Sequence, residues 1–139
     1  MLAKVTTAFR SELERQMGLI GLHGGQMFVL LELWNQDGLR QIDLAKRLDL
    51  SAPTVNKTVK GLIDVNLVTR SRLDDDARST RIFLTQQGFD IRQDVERQWL
   101  ELEGECLKEL TPAERLIFYD LLGKIRATYT GRAAADDEE

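Results

Sequence analysis

The stretch from Gln41 to Thr85 has an order of local patterns that few folds accommodate. A short amphipathic helical pattern, QIDLAKRLDL, is followed by a tight turn and a second helical pattern, SAPTVNKTVKGLIDVN. Two segments of alternating polarity, LVTRSRL and RIFLT, then flank the charged sequence DDDARST. Alternation on both sides of a short polar connection is typical of a β-hairpin. Together the pieces predict a helix-turn-helix unit followed by a hairpin wing.

The second helix of this unit has a clear start and two different sides. Ser51 occupies a position suited to an N-cap, and Pro53 falls in the first turn, where its missing N–H costs little. At roughly 100° per residue, one side is apolar and must pack on the core; it carries Val55, Val59, Leu62 and Ile63. The other side is polar and positively charged; it carries Pro53, Thr54, Lys57, Lys60 and Gly61, with Asn56 at its edge.

The polar side of this helix has the side chains needed to read DNA. Thr54 and Asn56 are able to hydrogen-bond base edges in the major groove, and Lys57 reaches guanine acceptors or phosphate. Lys60 lies further from the helix N-terminus and suits phosphate. An ordinary amphipathic helix with a solvated polar face would look the same if this helix stood alone. The cap, the turn and the following hairpin together favour a DNA-recognition helix.

The predicted wing carries basic side chains that suit a minor groove or its phosphates. Four arginines lie on the hairpin and its tip: Arg70, Arg72, Arg78 and Arg81. Asp74 and Asp75 favour the turn, and Asp76 is predicted to pair with Arg78 and orient its side chain. The complete set of predicted DNA contacts is Ser51, Pro53, Thr54, Asn56, Lys57, Lys60, Arg70, Arg72, Asp76, Arg78 and Arg81.

The net charge of −4 is unevenly distributed along the chain. Between Arg40 and Arg81, nine basic and six acidic residues give +3, so the remainder carries −7. Phosphate binding depends on the local field at the contact surface rather than on the total charge. The acidic end, residues 131–139, is predicted to be a solvated and disordered tail. The charge pattern is therefore compatible with double-stranded DNA as the partner.

Helical patterns flank the winged unit on both sides. Apolar residues recur at three- and four-residue steps from Leu2 to Ile20, and Gln26–Asn35 is apolar on nearly every side, which predicts a buried central helix. One long helix is predicted with an apolar stripe along one face, formed by Ile91, Val95, Trp99, Leu102 and Cys106. A capping box at Thr111–Glu114 starts a last helix. The winged core can only partly cover the apolar stripes of the first and the last two helices, which predicts a two-fold dimer.

Several function classes find no support in the composition. No apolar run approaches the roughly 18 residues that span a bilayer, and the first residues lack the apolar region of a secretory signal. The single cysteine, Cys106, suits a reducing interior, so we expect a cytoplasmic protein without membrane contact. His23 is the only histidine, and no nucleophile, base or carboxylate pair forms a recognisable set. We expect no enzyme activity, no catalytic residues, no metal site and no cofactor.

A set of single positions and short motifs extends from Gln26 to Gly88 and covers the predicted winged unit. They are Gln26, Leu44-Ala45, Leu48, Ser51, Thr54-Val55, Leu67-Val68, Asp76-x-Arg78 and Leu84-Thr85-x-x-Gly88. This pattern resembles the MarR family of bacterial transcriptional regulators over almost the whole chain, and its most specific part is the wing motif followed by Leu-Thr-x-x-Gly. Asn66 stands where a glycine is usual, and asparagine tolerates the same left-handed conformation.

The resemblance implies one domain over residues 1–139, mainly α with a small β-hairpin wing. Its winged helix-turn-helix core would cover residues 26–88, and its dimerisation helices residues 1–20 and 89–130, before the acidic tail at 131–139. The resemblance also implies a homodimer that reads a pseudo-palindromic operator and represses a nearby operon. A small aromatic or phenolic ligand, bound between the dimerisation and DNA-binding regions, would release it.

Some of these residue roles, and the function itself, have an alternative interpretation. The predicted ligand contacts are Met17, His23, Trp34 and Trp99, although a capping or surface role suits His23 equally well. Cys106 is predicted to be structural, because its acidic neighbours disfavour the thiolate that a redox sensor needs. The rival function is a winged-helix module that binds protein and ignores DNA, and the basic residues on the second helix and the wing disfavour it.

Overall fold

The computed structural model describes residues 1–72 and 80–136, with side chains up to residue 130. Its elements are α1 (Leu2–Gly18), α2 (Gln26–Asn35), β1 (Leu39–Arg40), α3 (Gln41–Leu48), α4 (Ala52–Asp64), β2 (Val68–Arg72), β3 (Thr80–Leu84), α5 (Gln86–Asp90), α6 (Arg92–Cys106) and α7 (Pro112–Asp136). The predicted fold class, mainly α with a small β wing, is confirmed. None of the described helices combines the length and the apolar character that crossing a membrane requires.

The chain divides into two compact units, Met1–Leu102 and Glu103–Glu139. The first unit contains the helix-turn-helix, the sheet and the hydrophobic core. Helices and sheet all contribute fully buried side chains to this core; examples are Met17, Leu30, Leu44, Val59 and Ile82. Full burial of one such side chain stabilises the fold by roughly 1.5–3 kcal/mol. The core therefore holds α4 against α2, α3 and the sheet.

The helix-turn-helix forms as the sequence predicts. α3 ends at Leu48, and Asp49 adopts the left-handed conformation with φ 52°. α4 begins after Ser51, with proline in its first turn. Its predicted core side is confirmed, since Val55, Val59 and Leu62 are fully buried. Burial on one side leaves the opposite side of α4 free to face solvent.

The sheet has one strand more than the predicted hairpin. β2 and β3 pair antiparallel with Val68 opposite Leu84 and Arg72 opposite Thr80. β1 adds a third, two-residue strand on the other side of β3, with Leu39 opposite Ile82. Two residues are too few for an alternating pattern, so the sequence gives no signal for β1. The third strand ties the start of α3 to the wing.

Two helix boundaries differ from the sequence prediction. A separate short helix, α5, precedes α6, because the Thr85 hydroxyl accepts a hydrogen bond from the Gly88 N–H at 3.0 Å and starts a helix there. At the other end, α7 continues to Asp136 and enters the segment predicted to be a disordered tail. The alanines at 133–135 are strong helix formers, which accounts for the continuation. Residues 137–139 lie outside the described part of the chain.

Three sequence-based burial assignments are wrong. Phe28 and Leu31 on α2 are 40% and 42% exposed, so this helix is not buried on nearly every side. Gly61 faces α2 rather than solvent, because a Cβ atom there would lie 2.8 Å from Gln26 Nε2. Cys106 does not extend the buried stripe of α6, since its side chain is exposed where α6 ends.

The second unit begins its long helix with the predicted capping box. The Thr111 N–H donates to Glu114 Oε1 at 3.1 Å, and the Glu114 N–H donates to Thr111 Oγ1 at 3.2 Å. The backbone hydrogen bond from Thr111 lowers the pKa of the Glu114 carboxyl. The Tyr119 hydroxyl donates to Glu103, which raises the pKa of the Tyr119 phenol. Large apolar side chains on α7 remain exposed: Leu116, Ile117, Leu121, Leu122, Ile125 and Tyr129.

Candidate nucleic-acid interface

The first half of α4 turns its polar side to solvent. Ser51 Oγ accepts a hydrogen bond from the Thr54 N–H at 3.4 Å, and the two hydroxyl oxygens lie 2.8 Å apart. The six predicted DNA contacts on this element are all exposed; they are Ser51, Pro53, Thr54, Asn56, Lys57 and Lys60. Free backbone N–H groups at a helix N-terminus favour phosphate oxygens. This surface is therefore accessible and chemically suited to a nucleic-acid duplex.

Asn56 is held by side chains from two other elements. Its Oδ1 accepts a hydrogen bond from Arg70 Nη2 on β2 at 3.2 Å and another from Gln41 Nε2 on α3 at 3.3 Å. Gln41 was not among the predicted site residues, and it lies 15 positions from Asn56. No local sequence pattern connects two positions so far apart. The contact joins the recognition helix, the wing and the preceding helix at one point.

A cleft of about 340 Å³ opens beside this contact. Its walls come from α3, α4 and the sheet; the lining residues are Gln41, Ile42, Ala45, Ala52, Asn56, Arg70, Arg72 and Thr80. The cleft brings two predicted wing arginines to the same surface as the recognition helix. Arg70 and Arg72 therefore lie beside α4.

The wing arginines have different surroundings. Arg70 and Arg72 are exposed on β2, and Arg70 uses one donor on the recognition helix. Arg81 is half-buried, and its Nη1 donates to the Gly38 carbonyl oxygen at 2.8 Å. This bond makes Arg81 a tether between β3 and the turn before β1, and the DNA contact predicted for it stays a prediction. The predicted contacts Asp76 and Arg78 lie outside the described residues.

The Leu-Thr-x-x-Gly motif forms the junction between α4, the sheet and α5. The Thr85 N–H donates to the Leu67 carbonyl oxygen at 3.1 Å. The Thr85 hydroxyl donates to the Asn66 carbonyl oxygen at 2.7 Å. Asn66 has φ 60°, which confirms its left-handed conformation. A Cβ atom at Gly88 would overlap the Leu67 carbonyl oxygen. The Trp34 indole N–H donates to the Gly88 carbonyl oxygen at 2.8 Å, so the junction also fixes α2.

The four predicted ligand contacts do not line the cleft beside α4. Met17 is fully buried in the core, and Trp34 is bound to Gly88. Trp99 packs edge-on against Phe9, with ring centroids 6.2 Å apart. The backbone N–H of His23 donates to the Gln26 side chain at 2.8 Å while its imidazole is exposed, which favours the capping or surface role. Their contacts within the protein are packing contacts and hydrogen bonds, and their role as ligand contacts stays a prediction.

An ion pair lies at the start of α3. Arg40 Nε donates to Asp43 Oδ2 at 2.8 Å, which lowers the pKa of the Asp43 carboxyl and raises that of the Arg40 guanidinium. Both groups are therefore charged at neutral pH and largely cancel each other's field. Across residues 1–72 and 80–136, no group of three or more histidine, cysteine, aspartate or glutamate side chains could hold a metal ion.

Comparison with known families identifies the fold. Residues 22–80 match the model of the MarR family. This range includes α2, α3, α4 and β2, which carry the surface described above. The central part of the chain is thus similar to the MarR family. A MarR transcriptional regulator from Methanosarcina mazei Go1 has the same fold, with a TM-score of 0.80, 22% identity, and coverage of 93% of this chain and 94% of that one.

Curated relatives that resemble this chain are described as regulators of transcription. The uncharacterised HTH-type regulator YdgJ of Bacillus subtilis is 26% identical over 106 residues, which are 76% of this chain and 65% of YdgJ. The organic hydroperoxide resistance transcriptional regulator of the same bacterium is 32% identical over 94 residues, 63% of this chain and 64% of that protein. The matched part thus spans somewhat less than two thirds of each relative's length.

Proposed function

We propose that this protein is a member of the MarR family, and that it is a sequence-specific DNA-binding regulator of transcription that acts as a homodimeric repressor in the cytoplasm. One observation carries the proposal: an exposed, N-capped helix with two lysines lies beside exposed arginines of the sheet, on one surface of the first unit. In this reading, α4 enters the major groove, and Thr54 and Asn56 contact base edges while Lys57 reaches guanine or phosphate. Lys60 and the wing arginines contact the backbone.

The second unit supports the homodimer in the proposal. α7 exposes a run of large apolar side chains between Leu116 and Tyr129. A monomeric protein rarely leaves so many large apolar side chains exposed together. Leu2 and Val5 on α1 are also exposed, at 65% and 53%. A two-fold dimer that buries these surfaces would present two copies of α4 to a pseudo-palindromic operator, with half-sites about 10 bp apart.

Release by a small aromatic or phenolic effector is the part of the proposal that rests on the family resemblance alone. The rival function, a winged-helix module that binds protein instead of DNA, does not need exposed cations on both the recognition helix and the wing. The position of Lys57, Lys60, Arg70 and Arg72 favours the DNA-binding function.

The test measures the affinity of the full chain for DNA as a function of salt. Fluorescence anisotropy with a duplex from the region upstream of its own gene should give an affinity that falls steeply between about 50 and 200 mM salt. Lys57→Ala should weaken binding and reduce the slope of log K against log salt by about 1, because one phosphate or base contact is lost.

Lys108→Ala is the matched control, since Lys108 pairs with Glu105 outside the winged unit. Its affinity and salt slope should equal those of the unchanged protein. Salt-independent binding, or equal losses in both variants, would contradict the proposed interface. If the anisotropy of the duplex does not rise at low salt, and the same surface captures a protein partner, the rival function is supported.

A further inference from the structure

We propose that Asn56 reads DNA only as a hydrogen-bond donor, and that it therefore selects guanine rather than adenine at one position of each half-site. This inference rests on the proposed DNA-binding function and concerns the base sequence that the protein prefers. It arises from the side-chain network around α4 rather than from the identity of the residue. An asparagine in a recognition helix would otherwise be expected to pair with adenine.

The acceptor capacity of the Asn56 side chain is used within the protein. Arg70 Nη2 donates to Oδ1 from β2 at 3.2 Å, and Gln41 Nε2 donates to it from the first residue of α3 at 3.3 Å. An amide oxygen has two lone pairs, and two donors occupy them. The reversed amide orientation would place the Nδ2 donor against these two donors. The neighbours of Asn56 therefore fix which end of its amide faces them.

The donor end of the same amide is available to DNA. Asn56 is exposed at the edge of the polar side of α4. Within residues 1–72 and 80–136, the Asn56 side chain makes two hydrogen bonds, and Oδ1 accepts both of them. Nδ2 therefore keeps its two N–H groups for a ligand. A base edge that approaches this position therefore meets two donors and no free acceptor.

The base edges respond differently to such a donor. Adenine presents the N7 acceptor beside the N6 amino donor, and the amino group would have no acceptor on Asn56. Cytosine presents an amino donor, which Nδ2 opposes. Guanine presents two acceptors, N7 and O6, that match the two N–H groups. Since one wrong base pair lowers affinity severalfold or more, we expect at least about a fivefold preference for guanine over adenine.

The experiment selects binding sites from a random duplex library with the full-length protein and sequences the enriched pool. Asn56→Ala identifies the position that Asn56 reads, because base preference should be lost there and retained elsewhere. The unchanged protein should prefer guanine at that position. The double variant Gln41→Ala/Arg70→Ala frees Oδ1 and should move the preference at the same position toward adenine.

Arg72→Ala is the matched control. It removes a neighbouring exposed arginine that lies in the same cleft, so overall affinity should fall while guanine remains preferred at the Asn56 position. Circular dichroism melting of each variant confirms that it is folded before selection.

Four results would overturn the inference while leaving DNA binding intact. They are a base other than guanine at the Asn56 position, no position sensitive to Asn56→Ala, an unchanged guanine preference in the double variant, and a changed preference in Arg72→Ala. If the unchanged protein enriches no sequence at all, the proposed function fails and the inference fails with it.

Discussion

At the scale of single residues, Gly88 shows how one position holds the junction between α4, the sheet and α5 in place. Its backbone N–H donates to the Thr85 hydroxyl, and its carbonyl oxygen accepts a hydrogen bond from the Trp34 indole N–H. Because Gly88 has no side chain, the Leu67 carbonyl oxygen packs directly against it. Leu67 lies just after α4 and donates its N–H to the Leu62 carbonyl oxygen, so the same contact joins the end of α4 to the start of α5. A glycine is required here for space rather than for backbone conformation, because the nearest obstacle is a rigid main-chain atom.

The change Gly88→Ala should therefore destabilise the protein. The added methyl group would overlap the Leu67 carbonyl and lie 3.1 Å from Leu84 Cδ2, and overpacking of this kind costs about 1–3 kcal/mol in the free energy of unfolding. Urea denaturation followed by circular dichroism measures the loss. Gly104→Ala is the control, because no heavy atom lies within 4 Å of a Cβ there and alanine favours a helix by up to about 1 kcal/mol. Equal stability of the two variants would show that the close approach is unimportant.

At the scale of elements, the start of α7 is set by a charged carboxylate. Glu114 accepts the Thr111 N–H, and this bond holds the pKa of the Glu114 carboxyl below its ordinary value of 4.5. A carboxyl whose pKa is lowered by folding stabilises the folded state above its unfolded pKa. That contribution is lost as the pH falls through the lowered value. The first turn of α7 should accordingly weaken in acid.

Glu114→Gln should remove this part of the pH dependence. The amide keeps an acceptor for the Thr111 N–H but carries no charge for the helix N-terminus. At neutral pH the variant should melt at a lower temperature than the unchanged protein, and the difference should shrink as the pH falls below about 4.5. Thermal melts by circular dichroism at a series of pH values provide the measurement. A difference that stays constant, or grows, in acid would refute the assigned role of the carboxylate.

At the scale of the whole molecule, the exposed apolar side chains of α7 determine which assemblies are favourable. Ile117, Leu121 and Ile125 recur at four-residue steps and are each about half exposed. Their apolar surface is removed from water only by contact with another surface. A dimer of two-fold symmetry would also give the regulator two copies of α4, which a palindromic operator requires.

Ile125→Asp should weaken the dimer. Loss of one buried apolar side chain is worth roughly 1.5–3 kcal/mol, so the dissociation constant of the dimer should rise at least about tenfold. Sedimentation equilibrium over a range of protein concentrations measures it. Lys124→Ala, next to the changed position and paired with Asp120 at the surface, should leave the constant unchanged. An unchanged protein that sediments as a monomer, or equal constants for all three proteins, would contradict the proposed dimer.

Local sequence was sufficient for the helix-turn-helix and for the caps at Ser51 and Thr111, because caps, turns and periodicity act over a few neighbouring residues. The left-handed Asn66 was predicted from the family resemblance. Reasoning from local sequence also identified the exposed side of α4. It did not identify α5, because a threonine cap followed by a glycine reads as a loop until the close approach at Gly88 is known.

The partners of individual side chains depended on the packed fold. Asn56 meets Arg70 across 14 positions, Arg81 meets Gly38 across 43, and Trp34 meets Gly88 across 54. Residues so far apart become neighbours only when helices and sheet pack around a common core, and no periodicity encodes that distance. The sequence from Gln41 to Thr85 therefore specified a winged helix-turn-helix, whereas packing determined which atoms of that element remain available to a ligand.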